Sequence, residues 1–167
     1  VWVKNRIWAI CGGESAVNKI ESYDPSSDSW RTEASLRTAR DWPVAWVANH
    51  KIFVAGGLNA NGSASNSIET YDPTIQQWNL SGSLPENSYA ADAEVFNGKV
   101  YVVAGHNGLD YSDQVLAADL LPHRDLHFRS VLSETANREP TSIFFLADLT
   151  ISENQPAGTI VGEFNAT

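Results

Sequence analysis

Asn66-Ser67-Ile68-Glu69-Thr70-Tyr71-Asp72-Pro73-Thr74-Ile75-Gln76-Gln77-Trp78 repeats Asn18-Lys19-Ile20-Glu21-Ser22-Tyr23-Asp24-Pro25-Ser26-Ser27-Asp28-Ser29-Trp30 at a distance of 48 residues. Each copy follows an apolar run ending in a glycine pair, 7–13 in the first and 52–57 in the second, so a whole structural unit recurs. A period near fifty residues is that of a propeller blade, a sheet that cannot bury its faces alone and stacks on its neighbours.

The runs 7–11, 52–55 and 100–105 are short, apolar and closed by glycine, which predicts buried strands. Segments 44–48 and 90–96 precede the second and third runs through Asn49-His50-Lys51 and Asn97-Gly98-Lys99. Asn-Gly between apolar runs signals a hairpin. Val1-Trp2-Val3 with Lys4-Asn5-Arg6 holds the same place before the first run. After each glycine pair a polar loop leads into Ile-Glu-Ser/Thr-Tyr, then an Asp-Pro turn, then a strand opened by tryptophan. The unit is therefore four antiparallel strands. The chain is expected to be all-β, with about two and a half to three such blades and an extended C-terminal tail or strand.

Gly12, Gly13, Gly56 and Gly57 permit positive φ and close backbone approach, while Tyr23, Trp30, Tyr71 and Trp78 supply large apolar surfaces between sheets. All eight read as structural, and the four aromatic residues are expected to be buried. In the third unit Ala118 falls where tyrosine should be, Phe128 takes the place of the tryptophan, and Ala104-Gly105 replaces the glycine pair.

Charge narrows the choice of partner. The 167 residues carry a formal charge of -9, and Lys99 is the only Lys or Arg between Ile52 and His123, which argues against a nucleic-acid backbone as ligand. No apolar run is long enough for a membrane-spanning helix. The single cysteine, Cys11, allows no internal disulfide and reads as a buried, inert thiol. The chain starts at valine and contains no methionine, so it reads as an excerpt whose further blades lie upstream.

Gly-Gly, Tyr and Trp in this order, with Tyr23 and Trp30, and Tyr71 and Trp78, each seven positions apart, resemble the kelch repeat over about residues 1–132. That resemblance implies a kelch-type β-propeller, here incomplete at its N-terminus. Residues 133–147 read as a linker. In 148–167, Ile151-Ser152-Glu153-Asn154 followed by Gly158-Thr159-Ile160-Val161 resembles the opening strand of a cadherin-like repeat. The second resemblance implies that Glu153 contributes to a calcium site in the intact protein, because that family's glutamate helps bind calcium between repeats. One carboxylate supplies too few of the oxygens calcium needs to bind it tightly in this chain.

Other constellations read as bland. His123 and His127 alternate with apolar residues as in a strand, which separates them too far for one metal. His106, Asn107, Asp110 and Asp113 could hold a cation, but they are also ordinary loop residues. Asp92 and Glu94 share one strand face and could pair as acid and base, although on a first strand they would meet only channel water.

The two resemblances imply a non-enzymatic binding or adhesion module of an extracellular or cell-surface protein, with a protein or carbohydrate ligand and a parent that could be membrane-associated. The rivals are a galactose-oxidase-like or other carbohydrate-active propeller enzyme and a cytosolic kelch adaptor. In a four-stranded meander the loops after the second strand (14–18, 58–66, 106–112) and those leading to the next blade (35–41, 82–88) emerge at one end. Recognition is expected there, with Arg37, Arg40, Asn59, Asn61, Asn87, His106 and Asp110 as candidate contacts.

Overall fold

The computed structural model describes residues 1–12, 15–120 and 126–131. The 133–147 segment, the 148–167 segment with Glu153, Gly13 and His123 lie outside these residues. The described chain forms three four-stranded antiparallel sheets, each in sequential strand order. Blade 1 is β1 (Trp2–Val3), β2 (Arg6–Ile10), β3 (Ile20–Asp24) and β4 (Ser29–Thr32). Blade 2 is β5 (Val44–Ala48), β6 (Lys51–Ala55), β7 (Ser67–Asp72) and β8 (Gln77–Ser83). Blade 3 is β9 (Asp92–Phe96), β10 (Lys99–Val103), β11 (Val115–Asp119) and β12 (Arg129–Ser130). No helix among the described residues is long and apolar enough to cross a membrane.

Local chemistry repeats with the strands. The first two strands of each blade are joined by two residues at positive φ, Lys4-Asn5, Asn49-His50 and Asn97-Gly98, the geometry that matches a hairpin's twist. At the Asp-Pro turns, Asp24 accepts hydrogen bonds from the Ser26 amide (2.9 Å) and hydroxyl (2.6 Å), and Asp72 accepts the Thr74 amide at 2.9 Å. The Ser26 bonds hold the Asp24 carboxyl below its usual range, and the Thr74 amide does the same for Asp72. Each aspartate also pairs with the cation that opens the blade's second strand: Asp24 with Arg6 (2.8 Å), Asp72 with Lys51 (3.0 Å) and Asp119 with Lys99.

Strand alternation decides which residues meet between blades. Ile52, Val54, Tyr71 and Trp78 of blade 2 pack with Val3, Trp8 and Ile20 of blade 1. Trp8 and Tyr71 lie 5.1 Å apart, and Tyr71 and Trp78 5.2 Å. Val44, Trp46, Ala55 and Ile68, on the other face of blade 2, meet Val100, Val102, Leu116 and Ala118 of blade 3. Phe128 sits 6.2 Å edge-on to Trp46 and so fills the tryptophan's place in the third unit.

The expected burial of all four repeat aromatics needs correction. Tyr71 and Trp78 are 3% and 5% exposed, but Trp30 is 58% exposed and Tyr23 only half-buried. Registers Ile7↔Tyr23↔Trp30 and Ile52↔Tyr71↔Trp78 are equivalent. The two sets differ in their neighbour, because the Trp30 face is turned away from blade 2 and meets no other blade among the described residues.

The glycine pair also shifts register. Since Ile7, Ile52 and Val100 are equivalent, the paired positions are Cys11-Gly12, Gly56-Gly57 and Ala104-Gly105. At the first position φ is 59°, 66° and 56°, a left-handed conformation that Cys and Ala reach at some cost. At the second it is 92°, 90° and 101°, which favours glycine, and glycine stands there every time. A methyl group on Gly57 would stand 2.9 Å from the Asp41 carbonyl oxygen. Gly57→Ala is expected to cost about 1–3 kcal/mol from backbone strain before any clash is relieved, while Ala104→Gly stays within about 1 kcal/mol. Equal urea midpoints for Gly57→Ala and the parent would refute this reading.

Cys11 stands just past β2, half-buried against the apolar layer between blades 1 and 2. Burial pushes its thiol up to about 11, which keeps it protonated and unreactive near neutral pH.

Candidate functional site

Beyond the strand ends the connections form short ladders at the loop-bearing end. Asp41 and Leu58 exchange backbone hydrogen bonds of 2.8 and 2.7 Å, and Tyr89 and His106 repeat the exchange at 3.0 and 2.9 Å one blade later. Leu58 and His106 then bridge to Ala64 and Tyr111. The next residues along, Trp42 and Ala90, share a left-handed φ of 54°, and the Ala90 amide donates to the Trp42 carbonyl oxygen at 2.9 Å. Four pairs of equivalent positions thus share a backbone and differ in side chain: Asp41 and Tyr89, Trp42 and Ala90, Leu58 and His106, Ala64 and Tyr111.

The residues that depart from the repeat converge. Asp41, Trp42, Leu58, Tyr89, His106 and Tyr111 line an open cleft of about 540 Å³. Tyr89 and His106 rings lie 5.0 Å apart, and Tyr111 meets His106 edge-on at 4.9 Å. Trp42 is 62% and Tyr111 90% exposed, so neither ring is consumed by the core. The Asp41 carboxylate is half-buried and has no hydrogen-bond or ion-pair partner among the described residues.

The expected contacts fall into three groups. Arg37, Asn61, Asn87 and Asp110 are exposed at this end, and His106 lies in the cleft wall. Asn59 is half-buried and organises its own loop, its Oδ1 accepting the Asn61 and Ser63 amides at 2.9 and 3.0 Å. Arg40 is not a surface contact. It is 1% exposed, and its guanidinium donates to the Gly56 and Ser67 carbonyl oxygens, to Ser67 Oγ, and to Glu69 Oε1 at 3.1 Å. Glu69, also 1% exposed, accepts the Arg37 and Thr38 amides as well. A charge in a polar connection has been drawn into the interblade layer because Glu69 lies on the buried Tyr71 face of β7.

The 106–112 loop spends its polar groups on itself. Asn107 Oδ1 accepts the Leu109 and Asp110 amides at 2.8 Å each, and His106 Nδ1 accepts the Gly108 amide at 2.9 Å. Among the described residues no three His, Cys, Asp or Glu side chains come together as a group able to hold a metal. Asp92 and Glu94 do share an exposed face of β9, each accepting the amide of the next residue.

The contacts expected from the sequence lie at the same loop-bearing end as this cleft but do not include Asp41, Trp42, Tyr89 or Tyr111. Their signal lay in the differences between the copies: positions whose backbone repeats while the residue type does not.

Comparison with known proteins agrees with this architecture. Residues 47–85, which contain most of blade 2, match the family described as Kelch motif. A stretch of 44 residues, 26% of this chain, is 46% identical to Kelch-like protein 24a of Danio rerio and spans 7% of that protein. The solved structure of YjhT is similar over 79% of this chain and 50% of its own, with a TM-score of 0.71 at 17% identity, a likeness of fold. The second copy of the repeat thus matches the kelch motif, and the described residues fold as consecutive four-stranded blades of a β-propeller.

Proposed function

We propose that this chain is a non-enzymatic recognition module that binds a polypeptide partner through the loop-bearing end of its blades, within an extracellular or cell-surface protein. The observation that carries the reading is the divergence of side chains over a repeated backbone at that end. Residues needed for folding recur from blade to blade, as Ile52 and Val100 or Gly57 and Gly105 do. Trp42, Tyr89, His106 and Tyr111 do not recur, and three of these aromatic residues stand where another blade has Ala or Leu. Loops held on a rigid sheet scaffold are the usual place for such specialisation. The likeness to Kelch-like protein 24a supports a protein ligand, and a carbohydrate is the alternative. The surface location, and a calcium site using Glu153, rest on the cadherin-like run at 151–161 alone.

The test is capture of the natural partner by the intact protein, followed by affinity measurement on two sets of variants. Arg37→Ala, Asn61→Ala, Asn87→Ala and Asp110→Ala at the loop end are together expected to weaken binding by about tenfold or more, which is about 1.4 kcal/mol. Asn49→Ala and Asn97→Ala at the tight-turn end should leave it unchanged once stability is matched. Equal losses from both sets would refute the assignment.

A further inference from the structure

We infer that the cleft between Trp42 and Tyr111 receives an arginine side chain of the polypeptide partner, with Asp41 as its counter-ion. The inference rests on the recognition-module reading above and names the chemistry of its ligand.

Three observations lead to it. First, Trp42 is bulky, exposed and held in a left-handed conformation that Ala90 adopts one blade later. The backbone therefore requires no indole there, and a strained aromatic residue facing solvent points to use by a ligand. Second, Trp42, Tyr89, His106 and Tyr111 present aromatic rings around one cleft, and the electron-rich faces of such rings attract cations. Third, Asp41 lines this cleft and its carboxylate has no hydrogen-bond or ion-pair partner among the described residues.

The third point gains weight from the acids that are buried or half-buried among the described residues. Of these, Glu21, Asp24, Glu33, Glu69 and Asp72 are each paired with a Lys or Arg of this chain, whereas Asp41 and Glu86 are not. Asp41 is the one of the two that lines the cleft, and no Lys or Arg lines it. A half-buried carboxylate between apolar walls gains from an incoming cation what it lost in hydration. The net charge of -9 adds a long-range field of the same sign. Arginine fits better than lysine, because its planar guanidinium stacks on an indole or phenol while its fork donates two hydrogen bonds to one carboxylate. The cleft's 540 Å³ lies within the range of ordinary ligand pockets.

The test titrates the whole chain, by nuclear magnetic resonance or calorimetry, with blocked Gly-Ser peptides of one length carrying Arg, Lys, Gln or Glu at three spaced positions, and with neutral oligosaccharides. The Arg peptide should bind saturably and more weakly as salt rises, Lys should bind less well, and Gln and Glu should not bind. Asp41→Asn and Trp42→Ala should each lower Arg-peptide affinity by about tenfold. Tyr111→Ala, at a position too exposed to affect folding, should lower it as well. Binding that ignores the central residue, or that survives all three substitutions, overturns the inference. So does oligosaccharide binding abolished by Trp42→Ala without any preference for arginine. If the natural partner is lost on the loop-end substitutions but retained by Asp41→Asn, arginine capture is wrong and the recognition module stands. A partner insensitive to both sets removes the module reading itself.

Discussion

Replacing Glu69 by leucine is expected to destabilise the chain by about 3–5 kcal/mol, the cost of leaving one member of a buried ion pair without the other. The two side chains are almost wholly removed from solvent. Arg40 would keep its carbonyl acceptors at Gly56 and Ser67 but lose its only carboxylate, and its Nε already lacks a partner. The Arg37 and Thr38 amides would lose their acceptor at the same moment. Blade 3 shows how the layer can be built without the pair. Ser88 stands at the position of Arg40 and Leu116 at that of Glu69, so both charges are absent together. Pro85, which has no N–H to orphan, stands at the position of Arg37. The double variant Arg40→Ser/Glu69→Leu should therefore be more stable than Glu69→Leu alone, with a coupling of about 1–3 kcal/mol. Adding Arg37→Pro should not reduce stability further. Urea unfolding of the parent, Arg40→Ser, Glu69→Leu and the double variant measures the cycle, and a double variant no more stable than Glu69→Leu would refute the pairing.

This pair also marks the limit of what the residues reveal before folding. Strand order, the tight turns at Asn49-His50 and Asn97-Gly98, and the weakened third blade were all legible, because each depends on local spacing or on the two-residue period of a strand. Arg40 was not, because its environment is set by a strand 29 residues later in the chain. A clue existed in β7, where Glu69 shares the Tyr71 face and so had to be buried and in need of a cation. Glu21 occupies the same position in blade 1, yet there it pairs with Lys19 at 2.9 Å at the protein surface. Identical sequence meets different neighbours, and the neighbours decide.

The candidate site was legible in outline for a similar reason. Connection lengths were enough to place the long loops at one end, and topology fixes that end once four strands meander. Which loop residues converge depends on the angle between adjacent blades, which no local pattern encodes. Comparing copies with one another, rather than with a consensus, separates the two demands. Gly57 and Gly105 coincide because the backbone requires it, whereas Trp42 and Ala90 differ because the backbone does not.

The same contrast between equivalent positions gives the second large effect. Trp78→Ala should cost about 3–5 kcal/mol, and Trp30→Ala less than about 1 kcal/mol, as expected of an exposed site. Both residues pack on the tyrosine of their own blade at 5.2 Å, so the intrablade contact is common to the two and cancels in the comparison. What remains is the layer between blades 1 and 2. Trp78 is nearly enclosed there, and its Nε1 donates to the Ala34 carbonyl oxygen at 2.8 Å, tying blade 2 to the connection that leaves blade 1. Its loss would open a cavity beside Tyr71 and Leu36 and leave that carbonyl without its donor. Trp30 has no interblade donor bond and more than half its surface in solvent, so its removal opens no cavity. Denaturant unfolding of the two variants under one set of conditions compares them directly. Equal losses would mean that the tryptophans serve the intrablade tyrosine alone, and that the packing of blade 2 on blade 1 contributes little to the stability of the fold.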